Sequence, residues 1–221
     1  IQVANMIELG QIRAGVVVGT ESGRNLVEGT IDKLNCDRSL TRNEIKFAVA
    51  SLTIGSASAA VVLANTELST TGNRLTGGAV HCRTDHHDLC QSDGLAELMQ
   101  TDSEALMHEG IATGRATFDR FLTAAGLAAG DIDRTFCHQV GVAHRKLLFD
   151  ELGLDPAIDF ATLETLGNTG SAALPVTMAR GLQDRPVGAG DKIALLGIGS
   201  GINCVMLACD WQTSRVLGGV E

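Results

Sequence analysis

Apolar positions follow two different periods along this chain, and together they predict an α/β protein. Residues 1–9 carry apolar groups at a spacing typical of the end of an amphipathic helix, which would stop at Gly10. Near-continuous apolar runs at 14–19 and 56–64 predict two buried strands, because a strand covered on both faces shows no polar alternation. Residues 24–52 carry many charges, which indicates helical or irregular surface structure.

The second part of the chain alternates predicted strands with predicted helices, as a layered α/β fold requires. The predicted strands cover residues 74–84, 134–138, 192–196 and 203–208, and the predicted helices cover 103–127, 142–152 and 171–182. The helix 142–152 would be closed by Gly153. The last two strands are expected to form an antiparallel pair at the end of the sheet. The polar, turn-rich segment 65–73 is the best candidate for a domain boundary.

Composition narrows the classes of partner. The net charge of −9 argues against a nucleic acid or an anionic membrane as the partner. Aromatic residues make up only 3% of the chain, so stacking platforms for single-stranded nucleic acid are not expected. The longest apolar stretches are too short to span a bilayer. Six irregularly spaced cysteines, several in apolar surroundings, are typical of reduced thiols and predict a cytoplasmic protein.

Three short motifs carry the candidate chemistry. They are Phe136-Cys137-His138-Gln139-Val140, Leu166-Gly167-Asn168-Thr169-Gly170 and the glycine turn Gly197-Ile198-Gly199-Ser200-Gly201-Ile202-Asn203. Each lies at the end of an apolar segment, so a histidine, an asparagine and the N–H groups of a tight turn can converge on one carbonyl oxygen. Donors placed in this way stabilise the negative charge that develops during acyl transfer. No evident nucleophile accompanies them.

Each motif also allows a purely structural interpretation. His138 alone would fit a satisfied core histidine, and Asn168 alone would fit a left-handed turn residue. The glycine turn would fit a hairpin or a phosphate-binding loop. A phosphate loop leads from a strand into a helix, whereas the residues after the turn are strand-like, which disfavours it. The occurrence of all three motifs in one chain favours the catalytic interpretation.

The cysteines suggest two further sites. One group of residues has the side-chain types that bind zinc: Cys82, His86, His87 and Cys90. Their spacing matches no common zinc finger or ribbon, so we expect a polar loop without a metal. Cys137 adjoins His138, but neighbouring residues of a strand face opposite ways. We therefore expect Cys137 to belong to the core rather than to act as a nucleophile.

In their order along the chain, the motifs at His138 and Gly167 and the glycine turn resemble those of the thiolase superfamily of condensing enzymes. The resemblance covers essentially the whole chain and is greatest to ketoacyl-ACP synthase III and to the OleA-type acyl-CoA condensing thiolases. Type III synthases usually have an asparagine three residues after the catalytic histidine, where this chain has Gly141. The glycine turn, His144 and residues 101–111 favour the OleA type.

The resemblance implies a thiolase-like α/β fold, an αβαβα layered sandwich built from two similar halves. Residues 1–66 would be the tail of the N-terminal half, and residues 67–221 would be the C-terminal half. The family's nucleophilic cysteine would lie shortly before Ile1, in the helix with which the chain opens. We therefore expect the cysteine to be supplied by an upstream segment or by another chain, and residues 1–221 alone to be inactive and poorly soluble.

The resemblance also implies a Claisen condensation of two acyl thioesters, with acyl-CoA as substrate, to a β-ketoacyl thioester. His138 and Asn168 would be catalytic and would stabilise the enolate oxygen of the second thioester. The backbone N–H of Ser200 would join that of the cysteine in a second oxyanion hole, with Gly199 and Gly201 binding substrate. A glutamate reaching across a dimer would be the base.

The implied partners are acyl-CoA or acyl-ACP, together with a second copy in a homodimer or a complementing chain that carries the N-terminal half. No metal is implied, and no cofactor beyond the coenzyme A thioester that serves as substrate. Two alternatives stay open. One is a decarboxylative β-ketoacyl-ACP synthase III of fatty acid or polyketide synthesis. The other is a non-catalytic subunit of a heteromeric condensing enzyme.

Overall fold

A computed structural model of the protein describes residues 1–92 and 99–219. Within these residues the helices are α1 Gln2–Glu8, α2 Arg24–Cys36, α3 Arg42–Ala48, α4 Ser103–Ala125, α5 Val142–Leu152, α6 Leu163–Leu166 and α7 Ala173–Asp184. The strands are β1 Ala14–Glu21, β2 Ala57–Ala64, β3 Arg74–Cys82, β4 Cys90–Ser92, β5 Met99–Thr101, β6 Arg134–Cys137, β7 Asp159–Phe160, β8 Lys192–Gly199 and β9 Asn203–Asp210. The helices and strands predicted from the sequence are confirmed to within a few residues, and α2 and α3 occupy the charged segment 24–52.

Five strands form one mixed sheet in the order β3-β9-β8-β6-β7. β6 runs parallel to β7 and β8, whereas β9 is antiparallel to β8 and to β3. The predicted antiparallel pairing of the last two strands is therefore confirmed. Their predicted place at the end of the sheet is wrong. β3 pairs with the outer edge of β9 and β6 with that of β8, which leaves β8 in the centre.

Helices cover both faces of this sheet. On one face, α4 and α5 pack through a buried cluster that includes Phe118, Phe121 and Phe149. On the other face, α7 packs through a second cluster that includes Phe136 and Leu182. A central sheet between two helical layers is the α/β arrangement that the alternating periods predict.

The strands of the first 66 residues differ from the prediction. β1 and β2 pair only with each other among the described strands, as an antiparallel ribbon. Both were expected to be buried, yet Val16 and Val18 of β1 are 58% and 65% exposed. The opposite face of β1 is covered only in part. A Cβ on Gly15 would lie 2.7 Å from the side chain of Val3 in α1, whereas Val17 on the same face is 47% exposed. The prediction of burial is wrong for this ribbon because the described residues leave one of its faces uncovered and cover the other only in part.

Segment 65–73 connects β2 to β3 and so links the ribbon to the five-stranded sheet. The division of the chain into residues 1–66 and 67–221 stays a prediction. Residues 93–98 and 220–221 of the second part lie outside the described residues. In the part of the chain that the structure describes, no helix combines the length and the apolar character needed to cross a membrane.

Candidate active site

His138 stands directly after β6, at the carboxyl end of that strand. Its backbone N–H donates a hydrogen bond of 2.9 Å to the carbonyl oxygen of Leu196 in β8. Because β6 and β8 are parallel, their carboxyl ends meet at one edge of the sheet, which is where α/β folds commonly bind ligands. The glycine turn follows β8, so the structure brings His138 to the same edge as the turn.

The imidazole of His138 lies partly buried between two small cavities. One is lined in part by Gln139, His144 and Leu163, and the other in part by His144 and Ile198. Burial lowers the pKa of His138 to about 4, and the neighbouring His144 acts in the same direction. At neutral pH the ring is therefore uncharged and has one N–H to donate. The ring forms no hydrogen bond with any described residue, so this N–H is available to a substrate.

A second histidine shares this space. His144 of α5 is 8% exposed, and burial lowers its pKa as well. Its ring lies against α4 at Gly110, where an added Cβ would be 3.6 Å from the Nε2 atom of His144. Two neutral imidazoles therefore meet at the end of β6. The sequence indicated His144 only as a point of resemblance and assigned it no role.

Asn168 lies in the tight turn that follows α6. Its Oδ1 accepts a hydrogen bond of 3.0 Å from the N–H of Gly170, which is the arrangement of an Asx turn. Its Nδ2 donates to no group among the described residues. The turn interpretation and the catalytic interpretation of Asn168 are thus compatible, because Oδ1 shapes the turn while Nδ2 stays available to a substrate oxygen.

The Asn168 turn is held by a segment far away in sequence. The N–H of Asn168 donates to the carbonyl oxygen of Thr53 at 2.9 Å, and the N–H of Gly55 donates to the carbonyl oxygen of Asn168 at 2.8 Å. The approach requires glycine, since a Cβ on Gly55 would overlap the carbonyl oxygen of Leu166. This contact has no signal in the sequence, because nothing local marks Gly55 as the partner of the turn.

Gln139 connects the two predicted catalytic residues. Its side chain is 3% exposed, and its Nε2 donates to the carbonyl oxygen of Cys137 at 2.8 Å. Its Oε1 accepts hydrogen bonds of 3.0 Å from the N–H groups of Thr162 and Leu163, where α6 begins. One buried amide therefore joins the end of β6, which presents His138, to the short helix that precedes Asn168. Gln139 belongs to the motif at residues 136–140, but its type and position in the sequence indicated no role for it.

The glycine turn is a hairpin between β8 and β9, with Gly199 paired to Asn203. Ser200 is exposed at its tip, and its carbonyl oxygen accepts a hydrogen bond of 3.0 Å from Nδ2 of Asn203. Gly201 has a φ of 114°, a conformation that favours glycine. A strand rather than a helix follows, so the turn lacks the helix N-terminus of a phosphate loop. The N–H of Ser200 donates to no described group.

The comparisons with known proteins agree with one another. Residues 122–211 match the family model described as 3-oxoacyl-[acyl-carrier-protein] synthase III C terminal. The acyl-CoA:acyl-CoA alkyltransferase of Shewanella oneidensis is 38% identical over 96% of this chain and 63% of its own length. Cerulenin-bound OleA of Xanthomonas campestris superimposes with a TM-score of 0.89 and 33% identity, over 94% of this chain and 60% of that one. The chain belongs to the thiolase superfamily of condensing enzymes.

Similarity within the superfamily reaches beyond the alkyltransferases. The β-ketoacyl-[acyl-carrier-protein] synthase III of Rhodospirillum centenum is 26% identical over 89% of this chain and 58% of its own length. The chain spans about six-tenths of the length of these relatives. The thiolase-like fold and the membership of the type III synthase and OleA group are both confirmed, with the mixed sheet and flanking helices described above.

In this thiolase-superfamily chain, Cys137 lies in the core, as predicted. It is 3% exposed and packs in the cluster on the α4 side of the sheet, whereas its neighbour Phe136 packs on the α7 side. Burial and the nearby carboxylate of Asp159 raise the pKa of the Cys137 thiol well above its ordinary value. A thiol in these surroundings stays protonated at neutral pH, and a protonated thiol is a poor nucleophile.

Of the four residues considered as zinc ligands, three make contacts with other groups of the protein. His86 lies 3.0 Å from a carboxylate oxygen of Glu109, and His87 contacts the carbonyl oxygen of Thr84. Cys90 Sγ accepts a hydrogen bond from the hydroxyl of Thr101. Among the described residues there is no group of three or more histidine, cysteine and acidic side chains that could hold a metal ion.

Proposed function

We propose that this chain contributes the enolate-stabilising part of the active site of an acyltransferase that condenses two acyl-CoA thioesters to a β-ketoacyl thioester. One observation carries the proposal. A neutral, partly buried His138 stands at the carboxyl edge of the sheet, with a donor that no described group uses. Gln139 joins this histidine to the turn of Asn168, whose Nδ2 is likewise unused.

The chemistry follows from the charge that each step creates. Removal of an α-proton from the second thioester places negative charge on its carbonyl oxygen. Nε2–H of a neutral His138 and Nδ2–H of Asn168 are donors that stabilise this oxygen without transferring a proton to it. Loss of one such donor typically costs 10²- to 10³-fold in rate, about 3 to 4 kcal/mol. The enolate carbon then attacks the carbonyl carbon of the acyl group that the enzyme holds as a thioester. The new carbon–carbon bond forms as the carbon–sulfur bond to the enzyme breaks and the enzyme thiolate leaves.

The acyl group needs a nucleophile, and we infer that it is a cysteine other than the six in residues 1–221. Resemblance to the superfamily supports this inference for all six. For Cys137, Cys204 and Cys209 burial supports it as well, because burial raises the pKa of each thiol. The N–H of Ser200 would bind the acyl-enzyme carbonyl together with the N–H of that cysteine. Gly199 and Gly201 keep the turn narrow enough for a thioester to approach its backbone.

Two features favour acyl-CoA over a malonyl thioester on a carrier protein as the second substrate. The alkyltransferases of Shewanella oneidensis and Xanthomonas campestris pv. campestris are named for acyl-CoA and match at 38% and 33% identity. This chain also has Gly141 where type III synthases usually have asparagine. The match of residues 122–211 to the synthase III family supports decarboxylative condensation as the alternative. Release of carbon dioxide from malonyl thioester, with no product from acyl-CoA alone, would establish the alternative.

The proposal also covers the partner chain that completes the site and the cellular compartment of the protein. A second copy or a complementing chain would complete the site, and the exposed apolar face with Val16 and Val18 supports a partner of this kind. Six free cysteines support a reducing compartment, which would be the cytoplasm. Coenzyme A enters only as part of the substrate, and no step requires a metal.

The deciding experiment uses the polypeptide expressed from its complete reading frame. His138→Ala and Asn168→Ala should each lower the rate of β-ketoacyl product formation from acyl-CoA by about 100-fold. His108→Ala and Asn35→Ala remove exposed side chains of the same types and should leave the rate unchanged. Full activity in both site variants would show that these residues are not catalytic and would favour a non-catalytic subunit.

A further inference from the structure

Gln139 uses both the nitrogen and the oxygen of its side-chain amide in a buried position. Its Nε2 donates to the carbonyl oxygen of Cys137 at 2.8 Å, and its Oε1 accepts from the N–H groups of Thr162 and Leu163, both at 3.0 Å. A buried amide with three such bonds has little freedom to rotate or translate. The side chain is therefore fixed, and the two segments that it touches are fixed relative to each other.

The first of these segments is α6, a helix of four residues, Leu163–Leu166. A helix this short is not stable without help at its ends. Its N-cap Thr162 gives no side-chain cap, because the hydroxyl of Thr162 bonds instead to that of Thr177 at 2.6 Å. Oε1 of Gln139 takes the place of that cap. The helix ends at Leu166 with Gly167 as its C-cap, and Asn168 is the next residue.

The second segment is the end of β6. The carbonyl oxygen of Cys137 is bound by Gln139, and the next N–H, that of His138, donates to Leu196 of β8. The peptide between Cys137 and His138 is thus held from both sides. Any displacement of the Gln139 amide would tilt this peptide and the imidazole that it carries.

We propose that Gln139 is a positioning residue that sets the separation between the two oxyanion donors, His138 and Asn168. This inference rests on the proposed function and adds the link between its two donors. Glutamine suits the task because one amide supplies both an acceptor for the start of α6 and a donor for the end of β6. Methionine has a similar volume and supplies neither group.

The test separates the two half-reactions of the enzyme expressed from its complete reading frame. In Gln139→Met, the rate of acyl-enzyme formation, followed by intact-mass measurement, should stay within about twofold of the parent. The kcat for condensation should fall about 10- to 100-fold, the penalty of donors misplaced by a fraction of an ångström, with little change in KM. Gln183→Met removes an exposed glutamine and serves as the matched control.

A merely structural role for Gln139 would give a different pattern. General loosening would lower acylation and condensation together, and this outcome would overturn the proposal. The variant Gln139→Met in the Asn168→Ala background gives a second readout. If Gln139 acts through the donors, its substitution should cost much less there than in the parent, and equal costs in both backgrounds would contradict the proposal.

A second variant covers the case in which Gln139→Met does not fold. Gln139→Glu, measured at a pH that keeps its carboxylate ionised, keeps acceptors for Thr162 and Leu163, loses the donor to Cys137 and places negative charge beside that carbonyl oxygen. It should lower condensation and spare acylation, and parent-like condensation would overturn the proposal.

Parent and Asn168→Ala are measured alongside. If the parent condenses acyl-CoA and Asn168→Ala does not, the proposed function stands whatever the Gln139 variants show. If the parent forms no condensation product, the proposed function itself has failed.

Discussion

Oε1 of Glu21, at the end of β1, accepts a hydrogen bond of 3.0 Å from the backbone N–H of Ser171, which lies 150 positions later in the chain. This bond lowers the pKa of the Glu21 carboxyl below its ordinary value, so the group is ionised at neutral pH. Ser171 follows the Asn168 turn, so the turn is held from one side by Glu21 and from the other by the backbone of Thr53 and Gly55.

Glu21→Ala should slow condensation by releasing this side of the Asn168 turn. A hydrogen bond from a backbone N–H to a carboxylate contributes about 1 to 3 kcal/mol, so a several-fold loss of kcat and a small fall in thermal midpoint are expected. Glu28→Ala is the control, because among the described residues Glu28 forms an ion pair only with exposed Arg24. A loss of kcat equal in both variants would show that Glu21 has no special part in the turn.

Gly55→Ala should be strongly destabilising. The added Cβ would overlap the carbonyl oxygen of Leu166 and lie 2.9 Å from the side chain of Thr169, so the Thr53–Gly55 segment must move away from the Asn168 turn. Overpacking of this kind costs about 1 to 3 kcal/mol, and condensation should fall with it. Gly130→Ala meets nothing within 4 Å and should be neutral in thermal unfolding and activity assays.

The imidazole of His138 should titrate near pH 4 in the folded protein, and NMR of labelled histidine would measure this. The unfolded chain takes up a proton near the ordinary pKa of 6.5, whereas the folded ring stays neutral to about 4. The unfolded state therefore binds more protons in this window, and the free energy of unfolding should fall as pH drops from 6.5 toward 4. His138→Gln should reduce this fall. A His138 pKa near 6.5 in the folded protein would contradict the buried, neutral donor.

Thiol labelling should follow exposure rather than closeness to the site. Cys36 and Cys82 are exposed and should react with iodoacetamide in the native protein, whereas Cys137 should react only after unfolding. Peptide mass spectrometry after timed labelling measures each site. Rapid native labelling of Cys137 would show that its thiol is accessible and would reopen its exclusion as a nucleophile.

The sequence was most informative where the signal is local. The hydrophobic period and the glycine position predicted α5 and its end at Gly153, and the alternation of strand faces predicted that Cys137 would belong to the core. The central place of β8 was missed, because strand order depends on which distant strands pair. The exposure of Val16 was missed for a related reason, since an apolar run shows that a face needs cover but not what covers it.

The sequence indicated the residues of the candidate site but not the contacts that hold them in place. His138 and Asn168 stand out because a polar group after an apolar strand, or between glycines, is locally unusual. Gly55 and Glu21 do not stand out, because their importance arises only when the chain brings them to the Asn168 turn. The bonds of Gln139 to Thr162 and Leu163 likewise become visible only in three dimensions.

The contact between the Thr53–Gly55 segment and the Asn168 turn also constrains how this family can be recombined. A chimera that joins the first part of one relative to the second part of another would separate residues that shape the same few ångströms of backbone. Residues 53–55 and 166–171, together with Glu21, should therefore be exchanged as one set from a single parent. Natural relatives should show correlated substitutions between these positions.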